Sequence, residues 1–329
     1  MSGKESAMKG YRFDFCPYER RFLQPLVTRH GTWHTREGII IRLGDAKGKC
    51  GWGEIAPMSW FGSETLEQAL NFCDQLPTEI TEEIIFSIPD HLPASQFGFE
   101  SALVAVGIAG YKRYSSPLTH GKLLTYSGLL PAGEAALNQW ETLWKQGYRT
   151  FKWKIGVNAI AQELEIFDLL TRTLPTSAKL RLDANGGLSY QEANRWLEIC
   201  EHIQANVEFI EQPLPVEQFS GMLKLSADFK TAIALDESVA TFKQLEQCFQ
   251  QGWRGIFVIK PGIAGSPFRL RQFCQSHKID VVFSSVFETA IGKQAALQLA
   301  AELSRGNRAV GFGINHFLEN PEENLFKCP

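Results

Sequence analysis

Polar side chains recur at the ends of five short apolar runs in the middle of this chain. Successive groups are about 24 to 29 residues apart, which is the length of a β-strand, a helix and their two connections. Consecutive units of this length place the ends of parallel strands in one ring at one end of a barrel. The spacing therefore predicts one shared polar site. The contributing groups are Lys152-Trp153-Lys154, Asp183-Ala184-Asn185, Glu211-Gln212-Pro213, Asp236-Glu237-Ser238 and Lys260-Pro261.

Strand-like and helix-like segments alternate well beyond these groups. From residue 123 onward they make seven strand–helix units and a last short apolar piece at 308–312. Such alternation is typical of an α/β fold with a parallel sheet, and this many units can close into a barrel. The sequence therefore predicts a modified TIM barrel, (β/α)7β, over residues 119–313.

The first third of the chain has a different pattern. Alternating segments at 11–15 and 37–43 predict antiparallel strands, and an apolar periodicity at 97–111 predicts a helix. We interpret residues 11–118 as a separate α+β capping domain. The tail, 314–329, is expected to return to it.

Two predicted loops of the capping domain combine aromatic and polar residues, Leu23–Arg36 and Pro57–Gly62. One interpretation is apolar packing between the two domains. The other is a lid that keeps water from a site on the barrel. The sequence alone leaves both interpretations open.

Composition excludes several classes of function. The net charge of −3 provides no basic field for nucleic acid, and no apolar run is long enough to predict a membrane span. Residues 1–10 are polar and predict a disordered leader instead of a secretory signal. The seven cysteines form no CxxC pair, which favours a reducing, cytoplasmic location. The oligomeric state stays open.

The lysines and acids are expected to face one another inside the barrel. Residues two apart on a strand share a face, so Lys152 and Lys154 point inward while Trp153 points outward. Arg181 and Asp183 share the inner face of the next strand in the same way. A lone lysine at a strand end is usually a solvated surface residue. Two inward lysines opposite three carboxylates favour a catalytic site.

Three carboxylates at successive strand ends predict a metal site. Asp183, Glu211 and Asp236 offer only oxygen ligands, which suit Mg²⁺, and Mn²⁺ could substitute for it. Each residue could instead cap the helix that follows it. Capping explains any one of them, but explains poorly why all three occur at successive strand ends. Packed together without a cation, they would raise one another's pKa.

These motifs, in this order and spacing, resemble the enolase superfamily in its muconate-lactonizing-enzyme-like subgroup. The resemblance covers nearly the whole chain and implies a capping domain on a (β/α)7β barrel. It also implies that Lys154 acts as a base toward a carbon acid next to a carboxylate. Lys260 would stabilise the intermediate as a cation from the opposite face, and Mg²⁺ would bind the three acids. The partner implied is a small-molecule carboxylate substrate.

Within this subgroup the chain is most similar to the o-succinylbenzoate synthase family. The resemblance rests on three segments: Lys260–Pro267, Ser284–Gly292 and Pro57–Leu66. It implies the dehydration of 2-succinyl-6-hydroxy-2,4-cyclohexadiene-1-carboxylate in menaquinone or phylloquinone biosynthesis. The 311–315 segment, Gly-Phe-Gly-Ile-Asn, departs from the Gly-x-Asp found in that family.

The resemblance also implies further substrate contacts. Lys152 and Arg181 would tune Lys154 and bind carboxylate, and either Ser284 or Ser285 would contact the succinyl part. Asn185 and Gly311 complete the predicted substrate-binding residues.

Three alternatives remain open at this point. An N-acylamino-acid racemase or dipeptide epimerase could use the same scaffold, with Lys154 and Lys260 both acting as bases. A dipeptide epimerase should carry acidic residues near the eighth strand, and Gly311-Phe312-Gly313 offers none. The chain could also be a barrel without catalysis. Finally, it could be a Schiff-base lyase using Lys154, although such an enzyme would not need three carboxylates.

Overall fold

The computed structural model describes residues 10–28, 31–107, 123–304, 306 and 308–313. In this part of the chain, a four-stranded antiparallel sheet with three helices precedes a seven-stranded parallel sheet with eight helices. The elements of the first, capping part are β1 (Gly10–Thr28), β2 (Gly31–Gly44), β3 (Cys50–Ile55), α1 (Leu66–Asp74), β4 (Glu79–Thr81), α2 (Glu82–Phe86) and α3 (Pro93–Val106). The first elements of the barrel are β5 (Ser127–Leu130), α4 (Ala136–Lys145), β6 (Thr150–Lys154), α5 (Ile160–Thr173), β7 (Lys179–Asp183), α6 (Tyr190–His202), β8 (Val207–Glu211) and α7 (Phe219–Asp228). The remaining elements are β9 (Ile233–Leu235), α8 (Phe242–Gln250), β10 (Ile256–Ile259), α9 (Pro261–Ala264), α10 (Pro267–His277), β11 (Asp280–Phe283) and α11 (Ala290–Leu303).

The seven parallel strands lie in chain order from β5 to β11. The eighth predicted strand is reduced to two bridging residues that close the gap between β11 and β5. Val310 N donates to Thr125 O at 2.8 Å on one side, and Gly311 N donates to Phe283 O at 2.8 Å on the other. The predicted (β/α)7β barrel with an α+β cap is confirmed.

Alternation along the strands separates the outer core of the barrel from its interior. Trp153 on β6 is fully buried against Phe167 of α5 and Trp196 of α6. A smaller cluster that includes Phe209 and Val258 forms a second, separate core. The inward residues at the C-terminal strand ends are polar, so the apolar filling stops below them. None of the described helices is both long and apolar enough to cross a membrane.

The capping sheet differs from the prediction in one important place. Segment Leu23–Arg36 is mostly strand, because β1 and β2 continue to pair as far as Thr28 and Gly31. The pairing register shifts between Arg21 and Leu26, which interrupts the alternation that would reveal a strand in the sequence. The expected loop is therefore the upper half of a long β-hairpin.

Two elements of the capping part have other limits than the sequence pattern predicts. Helix α3 begins at Pro93 and ends before Gly107, whose φ of 81° is a left-handed helix stop. The predicted continuation to residue 111 falls partly outside the described residues. Gly10 already belongs to β1, where it pairs with Thr81. The rest of the predicted leader and the returning tail, 314–329, lie outside the described residues, so these domain limits stay predictions.

Buried polar contacts fasten the cap to the barrel. The carboxylate of Glu54 on β3 accepts hydrogen bonds from Thr289 N and Gly292 N at the start of α11, each at 2.9 Å. Glu100 on α3 accepts one from Phe268 N at the start of α10, also at 2.9 Å. Acidic side chains at helix N-termini satisfy free backbone N–H groups and favour the helix dipole. These contacts hold the capping part against the barrel, beside the C-terminal ends of the strands.

Candidate active site

Neighbouring strand ends bring the predicted site residues together. Lys154 lies opposite Asp183 in the β6–β7 pairing, and Asp183 lies opposite Glu211 in the β7–β8 pairing. Asp236 and Lys260 directly follow β9 and β10. Since parallel strands end at the same edge, all five side chains belong to one end of the barrel. Strands β6 and β10 are four places apart, so Lys154 and Lys260 approach from opposite sides.

Two of the three lysines neutralise the carboxylates. Lys152 Nζ lies 2.8 Å from Asp183 Oδ2 and 2.7 Å from Glu211 Oε1, so its ammonium bridges the two acids. Lys260 Nζ forms an ion pair with Asp236. The carboxylates are buried, and the ammonium groups supply their counter-charge.

Lys154 has different surroundings from the other two lysines. It lines the cavity at the strand ends, and none of the described residues forms a hydrogen bond or an ion pair with its Nζ. An amine without a protein partner can approach a proton on a bound molecule. Lys154 is therefore the lysine whose geometry suits a general base.

Electrostatics make this carboxylate group costly without a further cation. Burial is the main cause that raises the pKa of Glu211 to about 8; the charges of Asp183 and Asp236 act in the same direction, and Lys152 opposes them. Burial also raises the pKa of Asp236, although Lys260 opposes it. Burial alone would lower the pKa of Lys152, but the carboxylates outweigh burial and raise it. The site is short of positive charge.

The donor set fits a hard divalent cation. Asp183, Glu211 and Asp236 offer only oxygen atoms, and Oε2 of the neighbouring Glu237 is buried without a hydrogen-bond partner among the described residues. Asn185 Nδ2 donates to the other oxygen of Glu237 at 3.1 Å. Within the described ranges, no three acidic, histidine or cysteine side chains already form a metal-binding group. Lysine ammonium groups contact the acids instead, so Mg²⁺ binding would require small side-chain movements.

One residue that the sequence analysis passed over holds two strand ends together. Gln212 is fully buried, and its Oε1 accepts from Asp236 N at 3.0 Å while its Nε2 donates to Ser238 Oγ at 2.8 Å. Both Gln212 and Asn185 have positive φ, 37° and 44°. Non-glycine residues adopt this conformation when surrounding contacts impose it, often at functional sites. The Glu-Gln-Pro triplet was the only sequence signal for this role.

A cavity of about 330 Å³ extends from the strand ends to the cap. This volume is within the range of pockets for small molecules. The barrel supplies its polar part and the cap supplies most of its apolar part. The lining residues are Leu26, Trp33, Met58, Trp60, Phe61, Ser127, Leu129, Leu130, Lys152, Lys154, Asp183, Asn185, Asp236, Lys260, Ser284, Ser285, Phe287, Gly311 and Gly313.

Aromatic rings from both parts form the wall opposite the carboxylates. Trp33 of the hairpin packs edge-on against Trp60 and Phe287, with ring centroids 4.7 and 5.7 Å apart. Lys260 Nζ lies over the ring of Phe61, 3.9 Å from the ring centroid. The two cap segments therefore face the site. Trp33 and Phe287 were missed as cavity residues, because membership in this wall depends on tertiary contacts alone.

The two serines after β11, Ser284 and Ser285, differ in their hydrogen bonds. Ser285 Oγ donates to Glu288 Oε2 at 2.8 Å and accepts from Phe287 N at 2.9 Å, so its hydroxyl is engaged in shaping the loop. Within the described ranges, Ser284 Oγ donates only one long hydrogen bond, of 3.5 Å, to Gly311 O. A Cβ at Gly311 would lie 2.6 Å from Ser284 Oγ, so glycine there keeps this side of the cavity open. Ser284 is the better placed of the two to bind a ligand.

Arg181 does not lie where a substrate-binding role requires it. Its side chain is 2% exposed, it is not a lining residue of the cavity, and its Nε donates to Glu208 Oε2 at 2.6 Å. Arg308 Nη1 binds the other oxygen of Glu208 at 2.9 Å. Arg181 is two residues before Asp183, so it lies about 7 Å deeper in the barrel. Its surroundings support a structural role there.

Two family models match the chain. The model described as enolase C-terminal domain-like matches residues 135–327, which is more than half of the chain, and the MenC N-terminal domain model matches residues 11–106. The fold and the site therefore define a member of the enolase superfamily. An o-succinylbenzoate synthase from Thermosynechococcus vestitus is 40% identical over 315 residues, 94% of each chain. The chain belongs to the o-succinylbenzoate synthase family.

Solved structures agree with this assignment. An o-succinylbenzoate synthase from Thermosynechococcus elongatus BP-1, with Mg in its active site, matches with a TM-score of 0.86 and 39% identity, covering 94% of this chain and 95% of that one. The L-Ala-D/L-Glu epimerase from Bacillus subtilis matches with a TM-score of 0.77 and 25% identity, covering 95% and 92%. A muconate lactonizing enzyme from Pseudomonas fluorescens, 22% identical, shares the fold.

Proposed function

We propose that this protein is an o-succinylbenzoate synthase, which dehydrates 2-succinyl-6-hydroxy-2,4-cyclohexadiene-1-carboxylate to o-succinylbenzoate. The observation that carries the proposal is the 40% identity along 94% of a synthase of this activity. The cavity supports it, because it places Lys154, Lys260 and two of the three acids against an apolar wall. The substrate has matching parts, a ring carboxylate for the cationic side of the cavity and an apolar cyclohexadiene ring for the aromatic wall, besides the second carboxylate at the end of its succinyl chain.

The residues can perform the reaction in two proton transfers. Lys154 takes the proton from the ring carbon next to the carboxylate, and the electron pair of that C–H bond moves onto the carboxylate oxygens. The pair then forms the new ring double bond as the C–O bond to the hydroxyl breaks. Lys154 returns its proton to the departing hydroxyl, so the products are water and an aromatic ring. Base catalysis of this type contributes roughly 10²- to 10⁴-fold.

Charge stabilisation comes from the residues around Lys154. Lys260 stands on the opposite side of the cavity as an ammonium and stabilises the dianionic intermediate electrostatically. Asp183, Glu211 and Asp236 would hold Mg²⁺, which supplies positive charge to the carboxylate oxygens when it is bound. Ser284 contacts the succinyl part, and the aromatic wall excludes water.

A second activity is racemisation of an N-acylamino acid. The observation that favours it is that two lysines line the cavity from opposite sides, as a two-base mechanism requires. A dipeptide epimerase is less well supported. Gly311 and Gly313 form the wall near the eighth strand, and neither carries the acidic side chain expected to bind the ammonium group of a dipeptide.

The test is turnover of the cyclohexadiene substrate by wild type and Lys154→Ala, with Mg²⁺ and with EDTA. We expect turnover in Mg²⁺, its loss in EDTA, and a fall of about a thousandfold in Lys154→Ala. Lys145→Ala is the matched control, because Lys145 on α4 is exposed and distant from the strand ends. Undiminished turnover in Lys154→Ala would remove the mechanism. Proton exchange into an N-acylamino acid that is lost in Lys260→Ala would instead support racemisation.

A further inference from the structure

Nothing among the described side chains holds the amine of Lys154 in place. Lys152 and Lys260 are each fixed by carboxylates, whereas none of the described carboxylates pairs with Lys154. The position of Lys154 therefore depends on the backbone that carries it. On one side this backbone is β6, and on the other side it is the loop 155–159 before α5.

A buried carboxylate gathers the N–H groups of this loop. Glu163 on α5 is 0% exposed. Its Oε2 accepts from Gly156 N at 2.8 Å, and its Oε1 accepts from Val157 N and Asn158 N, each at 2.9 Å. Three charge-assisted hydrogen bonds converge on one side chain, and each is stronger than a bond to a neutral acceptor.

These bonds are not ordinary helix capping. Helix α5 begins at Ile160 after the N-cap residue Ala159, and the three donors precede both. The N–H groups that a helix leaves free belong to its own first turn. Glu163 reaches back past that turn and binds the loop itself. The contact therefore holds the loop against the helix. It does not satisfy the free N–H groups at the N-terminus of α5.

The loop is also tied to the strand that carries the acids. Ile155 N, directly after Lys154, donates to Asp183 O at 2.9 Å. Gly156 has a φ of 74°, a conformation that favours glycine, and it packs close to Leu188 beyond β7. Lys154 is thus followed at once by a turn that is fixed to β7 on one side and to Glu163 on the other.

We propose that Glu163 is a positioning residue for the base, holding the end of β6 so that the Lys154 amine stays at the height of the carboxylates. This inference rests on the proposed function, in which Lys154 transfers the proton. Glu163 touches neither the cavity nor the acids. Its loss should therefore affect the chemical step and leave substrate and metal binding nearly intact.

The test is Glu163→Gln, which keeps the shape of the side chain. An amide has one acceptor oxygen and turns an NH₂ group toward the remaining loop donors, so the three bonds cannot all form. We expect kcat to fall about tenfold or more, because small misplacements of a reacting group are costly. KM and the affinity for Mg²⁺, the latter measured by titration calorimetry, should stay within about twofold of the wild type.

Leu170→Ala is the matched control for loss of stability. Leu170 lies on the same helix, seven residues after Glu163, and is fully buried in the barrel core; its side chain has no polar atom to accept a hydrogen bond from the loop. It should lower the melting temperature at least as much as Glu163→Gln while kcat stays within about twofold. Equal kcat losses in the two variants would overturn the inference, as would a change in KM without a change in kcat.

A second variant decides the question if Glu163→Gln does not fold. Glu163→Asp keeps the charge but is one methylene shorter, so it cannot hold all three N–H groups at hydrogen-bond distance. A folded Glu163→Asp protein with wild-type kcat would refute the positioning role. Absence of turnover in the wild type would instead count against the proposed function, so the two failures are distinguishable.

Discussion

Lys152 and Lys154 occupy the same face of β6, yet their ammonium groups meet different surroundings. Lys152 bridges Asp183 and Glu211, whereas the amine of Lys154 faces the cavity and has no hydrogen-bond or ion-pair partner in the part of the chain that the structure describes. The difference comes from height along the strand, because two residues correspond to about 7 Å. Lys154 pairs with Asp183 in the strand register, so its amine lies at the height of the carboxylates and faces the cavity, while Lys152 lies deeper and bridges two of the acids.

This arrangement predicts the effect of replacing Lys152 with an apolar side chain. Lys152→Met leaves Asp183 and Glu211 buried and facing each other without a cation. In EDTA we expect the free energy of unfolding to fall by about 3 kcal/mol, the usual result of removing one partner from a buried ion pair. Mg²⁺ should then stabilise the variant more than the wild type, since it replaces the missing charge.

Thermal unfolding of both proteins in EDTA and in Mg²⁺ measures this. Lys145→Met, on the exposed face of α4, is the control and should unfold like the wild type under both conditions. A Lys152→Met protein that melts at the wild-type temperature in EDTA would show that the two acids do not depend on this ammonium.

The sequence predicted which face of a strand each residue occupies, but not how deep in the barrel its side chain lies. Alternation correctly assigned Lys152, Lys154 and Asp183 to the interior. It assigned Arg181 to the interior by the same reasoning, but could not show that Glu208 binds it one layer deeper. The β7–β8 pairing contains a register shift after Leu180, and that shift decides which side chains meet. A single sequence carries no signal for it.

At the scale of elements, helix α3 shows where tertiary contacts override local pattern. Almost every residue of α3 is buried, including polar ones such as Gln96 and Glu100. A helix buried all round has no polar face, so its limits are hard to read from amphipathicity. Its polar residues serve other elements, because Gln96 Oε1 binds Ser266 N and Glu100 binds Phe268 N at the start of α10.

Glu100 predicts a pH dependence of stability. Burial raises its pKa from 4.5 to about 7, despite opposing hydrogen bonds from Ser266 and Phe268. Between these values the folded protein keeps a proton that the unfolded chain loses, so stability falls as pH rises. The loss is complete above the folded pKa and amounts to about 3 kcal/mol relative to a variant that cannot ionise.

Urea unfolding of wild type and Glu100→Gln at about pH 5 and about pH 8 tests this. The wild type should lose stability relative to Glu100→Gln between the two conditions. Glutamine keeps an oxygen to accept from Phe268 N and has no charge to bury. A constant difference between the two proteins across this range would mean that the carboxyl group does not titrate there.

At the scale of the whole molecule, the cap and the barrel share their cores. Ile263 of α9 and Val286 of the loop after β11 belong to the barrel yet pack in the hydrophobic cluster of the cap, and Phe97 of the cap packs in that of the barrel. The regular spacing of the strand ends predicted the barrel. It did not predict the shared cores, because these depend on which connections of the barrel contact α3 and β3.

The shared cores predict that the protein unfolds as one unit. Domains joined by a small polar interface commonly melt apart, and two-state behaviour then fails. Here unfolding the cap alone would expose Ile263 and Val286 and leave the N-termini of α10 and α11 without Glu100 and Glu54. We therefore expect one calorimetric transition whose van't Hoff and calorimetric enthalpies agree.

Ile263→Ala should shift that single transition to a lower temperature without splitting it, because its side chain supports both parts at once. Two separable transitions, one lost when the cap is digested by protease, would mean that the cap folds independently. The cavity, whose apolar wall comes from the cap, would then open before the barrel unfolds.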